Sequence, residues 1–392
     1  MKLLLSCIEL GLGHVTRLIP LGKKLAERGH ELHFFSGGTA YQLLQKEFRN
    51  VYPVTPVAWY ETAHGVIASA SLLNILIPLP YFDHDKKKLE IKRSSASETI
   101  HRYYELRQHI RKIKPDLIVA DGDMHMLRLA HRWRIPSVYV TNIIRPGHSF
   151  SPLLIPGERF AERYVKQCTR IIVPDNPSPY TICEYNLGDL DAMRLRHKTD
   201  FVGTFVDMTP TKGGEEHIFA PISGPLGTRA RLIQTIVPTL QKLKMKSIVS
   251  LGQPGKKATR KIGNCEIHTW LTSEQRSDQM ANAKLIIFSG GHATCFETIK
   301  HMKPSIIMPT QPEQIGNGRK LQELGSSLLA RNTTQLSTAL ELMLSNIELH
   351  KRNVEKLNEI SRKQTGVNAA TSIVERALEK PQVKMASSTA AD

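Results

Sequence analysis

The sequence predicts an α/β protein built as two Rossmann-like domains whose parallel sheets face one another across a cleft. Three observations predict it. Short apolar runs alternate with segments of helical spacing along most of the chain, the pattern of βαβ units and so of parallel strands. Two of these runs, residues 2–8 and 284–288, stop at glycine turns that open helices. Between the two halves stands TPTKGGEE, residues 209–216, which has the composition of a linker.

Totals agree. A chain of 392 residues with 41% hydrophobic content can bury two sizeable cores. The five cysteines, Cys7, Cys168, Cys183, Cys265 and Cys295, are scattered and form no CxxC pair. That spacing points to a reducing compartment and away from a disulfide framework or structural zinc. The formal charge of +17 favours anionic partners. An aromatic content of 6% and no recognised nucleic-acid motif count against a nucleic-acid binder. Met1-Lys2 runs straight into a strand, which is not the pattern of a signal peptide.

In chain order, KLLLSCI at 2–8 reads as a strand and ELGLGH at 9–14 as a turn. Residues 15–28 carry Leu18, Leu21 and Leu25 on one face, and Gly29 ends that helix. A strand at 31–35, a helix at 40–48 and a strand at 51–56 follow. Residues 65–82 hold no charge over 18 positions. Pro78, Pro80 and the need for both flanks to rejoin one sheet argue against a membrane span. Two readings stay open: a buried helix and loop, or a surface that dips into a bilayer. Residues 84–114 carry ten Lys/Arg against four Asp/Glu. Apolar surface beside basic charge is how peripheral proteins hold anionic lipid.

Residues 98–114 show a helical stripe of Ile100, Tyr103, Leu106, Ile110 and Ile113, stopped by Pro115. A buried strand at 117–120 ends at Asp121-Gly122-Asp123. Helices at 124–134 and 160–167, strands at 137–141 and 170–174, and a Pro/Gly-rich loop at 145–157 complete the half, with a last strand near 201–203. The first domain is thus residues 1–208. The second, 217–365, reads as strand 217–222, turn 223–227, helix 228–243, strand 247–251, turn 252–255, strand 266–270 and helix 273–282. After the stretch described next come a short strand at 327–330 and helices at 334–344 and 349–362. A final helix occupies 366–380, and residues 381–392 have the composition of a disordered tail.

The most informative stretch is FSGGHATCFETIKHMKPSIIMPTQPEQIGN, residues 288–317. It reads strand, glycine turn, helix, strand, loop, helix. Glycines at a strand end let backbone approach a ligand, and the free N–H groups of the next helix suit a diphosphate. Glu297 lies one helical turn on, placed to accept from sugar hydroxyls. Gln314 and Asn317 follow the next strand, at the sheet edge where α/β proteins bind ligands.

This spacing resembles the nucleotide-sugar site of GT-B fold glycosyltransferases, which carry Gly-Gly, then Ser/Thr, then Glu three residues later. Here these are Gly290, Gly291, Thr294 and Glu297. The resemblance implies that the turn and Thr294 hold the diphosphate, Glu297 the ribose, and the acidic-Gln pair Glu313-Gln314 the donor sugar. Many relatives have His before the two glycines; this chain has Ser289 there and His292 after them. Gly252 at a strand end and Trp270-Leu271 at the next are the remaining donor-side candidates. Relatives place the nucleobase at the latter position, whereas spacing alone is equally compatible with Trp270 in the core.

Gly11-Leu12-Gly13-His14 resembles the glycine-rich loop ending in His of lipid-linked GlcNAc transferases and plant-type UDP-sugar transferases. Inverting sugar transfer needs a base for the acceptor hydroxyl, and a histidine of ordinary pKa, about 6.5, has that strength. A helix N-terminus favours its neutral form. Asp121, at a strand end, corresponds to the Asp that orients the His in plant-type enzymes, with Asp123 the alternative. A helix-capping role is open for both His14 and Asp121. Gly11, Gly13, Arg17 and Asp123 are the acceptor-side candidates; Arg17 either meets an acceptor phosphate or faces solvent. Asp121-Gly122-Asp123 also spells DxD, the metal motif of another transferase fold. The GT-B resemblance implies no metal and no cofactor, because helix ends and amides bind the leaving diphosphate.

The resemblance thus implies an inverting hexosyltransferase using UDP-GlcNAc. Its expected acceptor is a lipid-diphosphate-linked saccharide, met at the cytoplasmic face of the membrane through residues 65–114. The alternatives are a soluble transferase for a small molecule and a UDP-GlcNAc 2-epimerase of the same fold.

Overall fold

A computed structural model describes residues 1–9, 12–56, 59–62, 65–68, 79–83, 88–92, 95–145, 155–209, 211, 213–224, 226–253 and 258–379. The first half contains β1 (Lys2–Cys7), α1 (Gly13–Glu27), β2 (Glu31–Ser36), α2 (Gly38–Glu47) and β3 (Val51–Pro53). Two antiparallel hairpins follow, β4 (Trp59–Thr62) with β5 (Gly65–Ala68) and β6 (Leu79–Asp83) with β7 (Lys88–Lys92). Then come α3 (Ser95–Ile113), β8 (Leu117–Asp121), α4 (Met124–Arg132), β9 (Ser137–Val140), α5 (Ile155–Gln167), β10 (Arg170–Val173), the short α6 (Glu184–Leu187) and β11 (Thr199–Phe201).

The second half contains β12 (His217–Pro221), α7 (Leu226–Gln241), β13 (Ser247–Ser250), β14 (Thr259–Ile262), β15 (Cys265–His268), α8 (Ser273–Ala281) and β16 (Ala283–Phe288). It continues through α9 (His292–Lys300), β17 (Ser305–Ile307), α10 (Pro312–Glu323), β18 (Ser327–Leu329), α11 (Thr333–Ser345) and α12 (Ile347–Arg362). The last helix is α13 (Val367–Glu379).

Among the described residues each half is built on a seven-stranded sheet. The first is wholly parallel in the order β11-β10-β9-β8-β1-β2-β3. The second runs β14-β15-β13-β12-β16-β17-β18 and is parallel except for its edge strand β14. The expected α/β class with two Rossmann-like parallel sheets is therefore observed. In each sheet the strand order reverses beside the first strand, between β1 and β8 and between β12 and β16. Connections leave those neighbours in opposite directions and open a crevice at their carboxyl ends.

Helices cover both faces, which is why the central strands are continuous apolar runs: β1 is buried from Leu3 to Cys7 and β8 throughout. Leu4, Ile118 and Ala120 pack on one side of the first sheet, and Leu3, Leu5 and Val119 on the other. Ile218, Leu285 and Ile287 against Phe219, Ile286 and Phe288 do the same in the second. Ala370, Ile373, Val374 and Ala377 of α13 join the core of the first sheet, so the chain crosses between the halves twice. The crossings touch: Gly366 N donates to Val202 O at 2.8 Å, and a Cβ on Gly203 would lie 2.2 Å from Gln364 Cβ.

Some elements differ from the sequence expectation. The charge-free stretch 65–82 contains strands β5 and β6 where it is described, not a helix; residues 69–78 lie outside the described residues. Strand β14, TRKI, is exposed at three of its four positions, so it carries no apolar signal. Helix α5 begins at Ile155, inside the segment expected as loop. The linker segment is fastened to the second half, with Gly214 N on Asn282 Oδ1 at 2.9 Å and Thr211 Oγ1 2.6 Å from His301 Nδ1. The expected disordered tail lies outside the described residues. No described helix is long and apolar enough to cross a membrane.

Candidate active site

The first sheet's reversal point brings together residues more than a hundred positions apart. β1 ends at Cys7, and the turn after it, of which Leu10 and Gly11 lie outside the described residues, leads to α1 at Gly13. His14 stands in the first turn of α1, and its Nδ1 is 2.6 Å from Oδ1 of Asp121, the last residue of the neighbouring β8. Asp121 is fully buried and His14 partly exposed. Burial opposes the charge on Asp121, but the Arg17 guanidinium and the His14 imidazole outweigh it and hold its pKa below the usual carboxylate range. An ionised carboxylate only accepts, so in the neutral ring Nδ1, which also lies 3.1 Å from Arg17 Nη2, carries the proton and Nε2 keeps its lone pair. That is the tautomer a base needs.

Gly122 makes room for this ring. Its φ is +70°, and a Cβ there would lie 2.9 Å from His14 Cε1. Arg17 turns inward rather than to solvent. Its Nε and Nη2 donate to the two oxygens of Asp121 at 3.1 and 2.6 Å, and its Nη1 donates to Asn142 Oδ1 at 2.8 Å.

Asp123 takes the helix-capping role that the sequence left open for Asp121. It accepts from the N–H groups of His125 and Met126 at the start of α4, and Arg102 Nη2 donates to it at 2.5 Å. Both partners are fully buried. Burial again opposes the Asp123 charge, and Arg102 outweighs it, keeping the pKa low. The two carboxylates of the DxD triplet therefore serve separate arginines.

In the second half, β16 ends at Phe288, and Ser289 just after it is buried. Gly290 has φ +92°, and a Cβ there would meet Ile307 Cγ2 at 2.8 Å. Gly291 is the N-cap of α9, with no side chain capping the helix and nothing within 4 Å of a Cβ placed on it. No side chain caps the first amides of α9, and no side chain crowds its N-cap, an arrangement suited to an anion. Thr294 and Glu297 lie along that helix, and both are met from α8 by Arg276, whose Nη2 is 2.7 Å from Glu297 Oε2 and 3.5 Å from Thr294 Oγ1.

Gly252 is in the left-handed region, φ +62°, where a Cβ would lie 2.5 Å from Ile222 O. Arg229 Nη1 donates to the Gly252 carbonyl at 2.6 Å and its Nε to the Gly224 carbonyl, tying two turns together. Trp270 is 36% exposed and Leu271 buried, so the core reading fails for the tryptophan. Both line a cavity of about 380 Å³ beside α8.

Three donor-side candidates are committed to the protein, and a fourth, Glu313, is held through one oxygen. Gln314 Oε1 accepts from Thr310 and Gln311 in the capping box of α10. Asn317 is fully buried; its Nδ2 donates to Gly290 O at 2.9 Å, and its Oδ1 accepts from Asn186 Nδ2 at 2.8 Å. It shapes the glycine turn. His292 Nε2 lies 2.9 Å from Asp175 Oδ2, beyond the end of β10 in the first half. Glu313 Oε1 accepts from Asn142 Nδ2 at 2.7 Å. Asp175 and Asn142 belong to the first sheet's edge, so the two edges meet across the cleft.

Among the described residues, Asp175, Cys183 and His292 are the cluster of metal-ligand types, with ligand atoms within 4.8 Å of one another. Asp175 already accepts from the N–H groups of Asn176, Ile182 and Cys183, and burial pushes the Cys183 thiol well up. The thiol is thus kept protonated, and the cluster is a hydrogen-bonded network. Asn142, Asp175, Arg229 and Arg276 were not singled out from sequence. The first two were findable only as polar residues just past strand ends; nothing local marks the two arginines.

Comparison with known proteins agrees with this arrangement. Residues 228–376 match the glycosyltransferase family 28 C-terminal domain. An uncharacterized glycosyltransferase of Methanosarcina acetivorans is 23% identical over 399 residues, covering 97% of this chain and 99% of its own. The fold is similar to that of the spinosyn rhamnosyltransferase SpnG, with a TM-score of 0.67 at 12% identity over 97% of this chain and 100% of that one. It is also similar to MurG of Acinetobacter baumannii, with a TM-score of 0.60 at 12% identity over 96% and 99%. The chain is a glycosyltransferase with the GT-B fold.

Gly122→Ala is expected to push the imidazole off Asp121 while costing the fold only about 1–2 kcal/mol of backbone strain. Turnover of whichever nucleotide sugar the wild type accepts should fall on the order of 100-fold, as for a reacting group displaced by about 1 Å, with affinity for that nucleotide sugar retained. Calorimetric binding of that nucleotide sugar beside steady-state rates checks this; full activity would show that the ring does not depend on the glycine.

Proposed function

We propose that the protein transfers a hexose, GlcNAc from UDP-GlcNAc, with inversion onto a lipid-diphosphate-linked saccharide at the cytoplasmic membrane face. The observation that carries this reading is the 2.6 Å His14–Asp121 pair, set on an edge that bonds directly to the edge bearing the open α9 terminus. His14 Nε2 takes the acceptor hydroxyl proton as that oxygen bonds to the anomeric carbon. The bond from that carbon to the diphosphate breaks, and the diphosphate leaves with its electron pair toward the amides of α9 and the nearby Arg276. Asp121 stabilises the imidazolium. Both Asp121 and Asp123 are neutralised by arginines, so the step is written without a metal.

Exposed apolar residues support a lipid acceptor. On α3, within the basic stretch, Ile100 and Tyr104 are 56% and 53% exposed and lie one turn apart. The second reading is a soluble transferase for a small molecule; it is favoured by the likeness to the spinosyn rhamnosyltransferase.

Incubation with a panel of nucleotide sugars is expected to give UDP release from UDP-GlcNAc, and His14→Ala to lower transfer about 100-fold or more with UDP binding kept. A variant retaining over a tenth of the rate would remove His14 as the base, and an epimerised sugar without UDP release would indicate the epimerase. EDTA should leave the rate unchanged; inhibition reversed by Mn²⁺ would return Asp121 and Asp123 to metal binding. Flotation with vesicles containing anionic lipid should carry the protein upward, and less so for Ile100→Ser/Tyr104→Ser. Protein remaining at the bottom would favour the soluble reading.

A further inference from the structure

We propose that Asn142 is a positioning residue which, through Arg17, couples the donor-side carboxylate of Glu313 to the His14–Asp121 pair. The inference rests on the transferase reading for the roles of its two ends, and on geometry for the link itself. An unbroken string of hydrogen bonds runs from one wall of the cleft to the other. His14 Nδ1 meets Asp121 Oδ1 at 2.6 Å, and Arg17 donates to both Asp121 oxygens. Arg17 Nη1 donates to Asn142 Oδ1 at 2.8 Å, and Asn142 Nδ2 donates to Glu313 Oε1 at 2.7 Å.

The chemistry of position 142 leaves little choice of residue. On one side stands a guanidinium, which only donates; on the other a carboxylate, which only accepts. The amide between them must therefore present its oxygen to Arg17 and its nitrogen to Glu313, and the reverse orientation would oppose like groups on both sides. An aspartate would repel Glu313, and a lysine would repel Arg17. Asn142 is 3% exposed, so the pairing is made away from bulk water, where an unpaired group is costly. Its backbone is fixed as well. Thr141 N donates to Ile172 O at 3.0 Å, and Thr141 Oγ1 accepts from Ile143 N at 3.0 Å.

Charge follows the same path. Burial works against the Arg17 cation, but Asp121 and, further off, Glu313 favour it, and its pKa rises overall. With His14 neutral, Asp121, Arg17 and Glu313 together carry one net negative charge; a proton arriving on His14 brings the string to zero. Glu313 also sits in the first turn of α10, where a helix favours an anion. Asn142 engages one of its oxygens and leaves the other for a donor hydroxyl. A donor that moves Glu313 thereby moves Asn142, Arg17 and the carboxylate that aims the imidazole.

The test uses the full chain with Asn142→Asp, Glu313→Gln and the two combined, which exchanges amide and carboxylate and restores the bond in reverse. In ligand-free protein with ¹⁵N-labelled histidine, the His14 ring signals, identified by their loss in His14→Gln, should move in each single variant. They should return toward wild type in the double variant. With UDP-GlcNAc, or whichever nucleotide sugar the wild type turns over, Asn142→Asp should lower kcat about tenfold or more. Donor KM should change less than about threefold, and the double variant should regain part of kcat. Glu313→Gln keeps Asn142 and serves if Asn142→Asp does not fold. Ring signals unmoved in the single variants, or losses that add with no recovery in the double, overturn the coupling. No turnover of any nucleotide sugar by wild type defeats the transferase reading instead, and the ring signals still decide the coupling.

Discussion

A carboxylate with no access to water is the constraint on which the cleft depends. Asp121 ends a central strand and has no exposed surface, so its charge must be met by donors from the protein. Those donors come from the opening of α1, one turn apart: His14 and Arg17. One helical turn thus supplies a ring with a free Nε2 and a permanent cation. The ring is steered because the anion is buried, and the anion stays charged because the cation lies beside it.

The same logic repeats at the second buried acid. Asp123 is two residues on, yet Gly122 turns the chain so that it faces Arg102 and the start of α4. Separating the two acids in this way gives one carboxylate to an imidazole and the other to structure. In the opposite half the pattern is complementary: no acid and no side-chain cap stands at the start of α9, which leaves its amides for an anion that arrives. A fixed anion on one wall and an open helix end on the other make a polarised slot.

Much of this was legible in the sequence because the signals are local. Apolar runs of strand length, glycine stops and helical stripes fixed both parallel sheets, and the pairing of a His at the opening of α1 with an Asp at the end of β8 came from the resemblance to plant-type transferases. What could not be read is whatever depends on packing between distant segments. Asn142 and Asp175 reach the other half only because two sheet edges confront one another. Asn317 and Gln314 looked like ligand contacts by spacing, yet a glycine turn and a helix start took their polar groups first. Strands β5 and β6 were hidden because a charge-free stretch does not distinguish strand from helix; their partners β4 and β7 are short and flank that stretch. Edge strand β14, polar and exposed, gave no periodic signal at all.

The last helix returns to the opposite half, and its return path lies against the outgoing one at Val202, Gly203, Gln364 and Gly366. Two peptide tethers running side by side act as a single pivot. They resist twisting and sliding of one lobe past the other, and leave a jaw-like swing as the easy motion. Any such swing must first part the His292–Asp175 and Asn142–Glu313 contacts and lift Ile182 and α6 off the second half, so the bite is held at the mouth as well as at the joint.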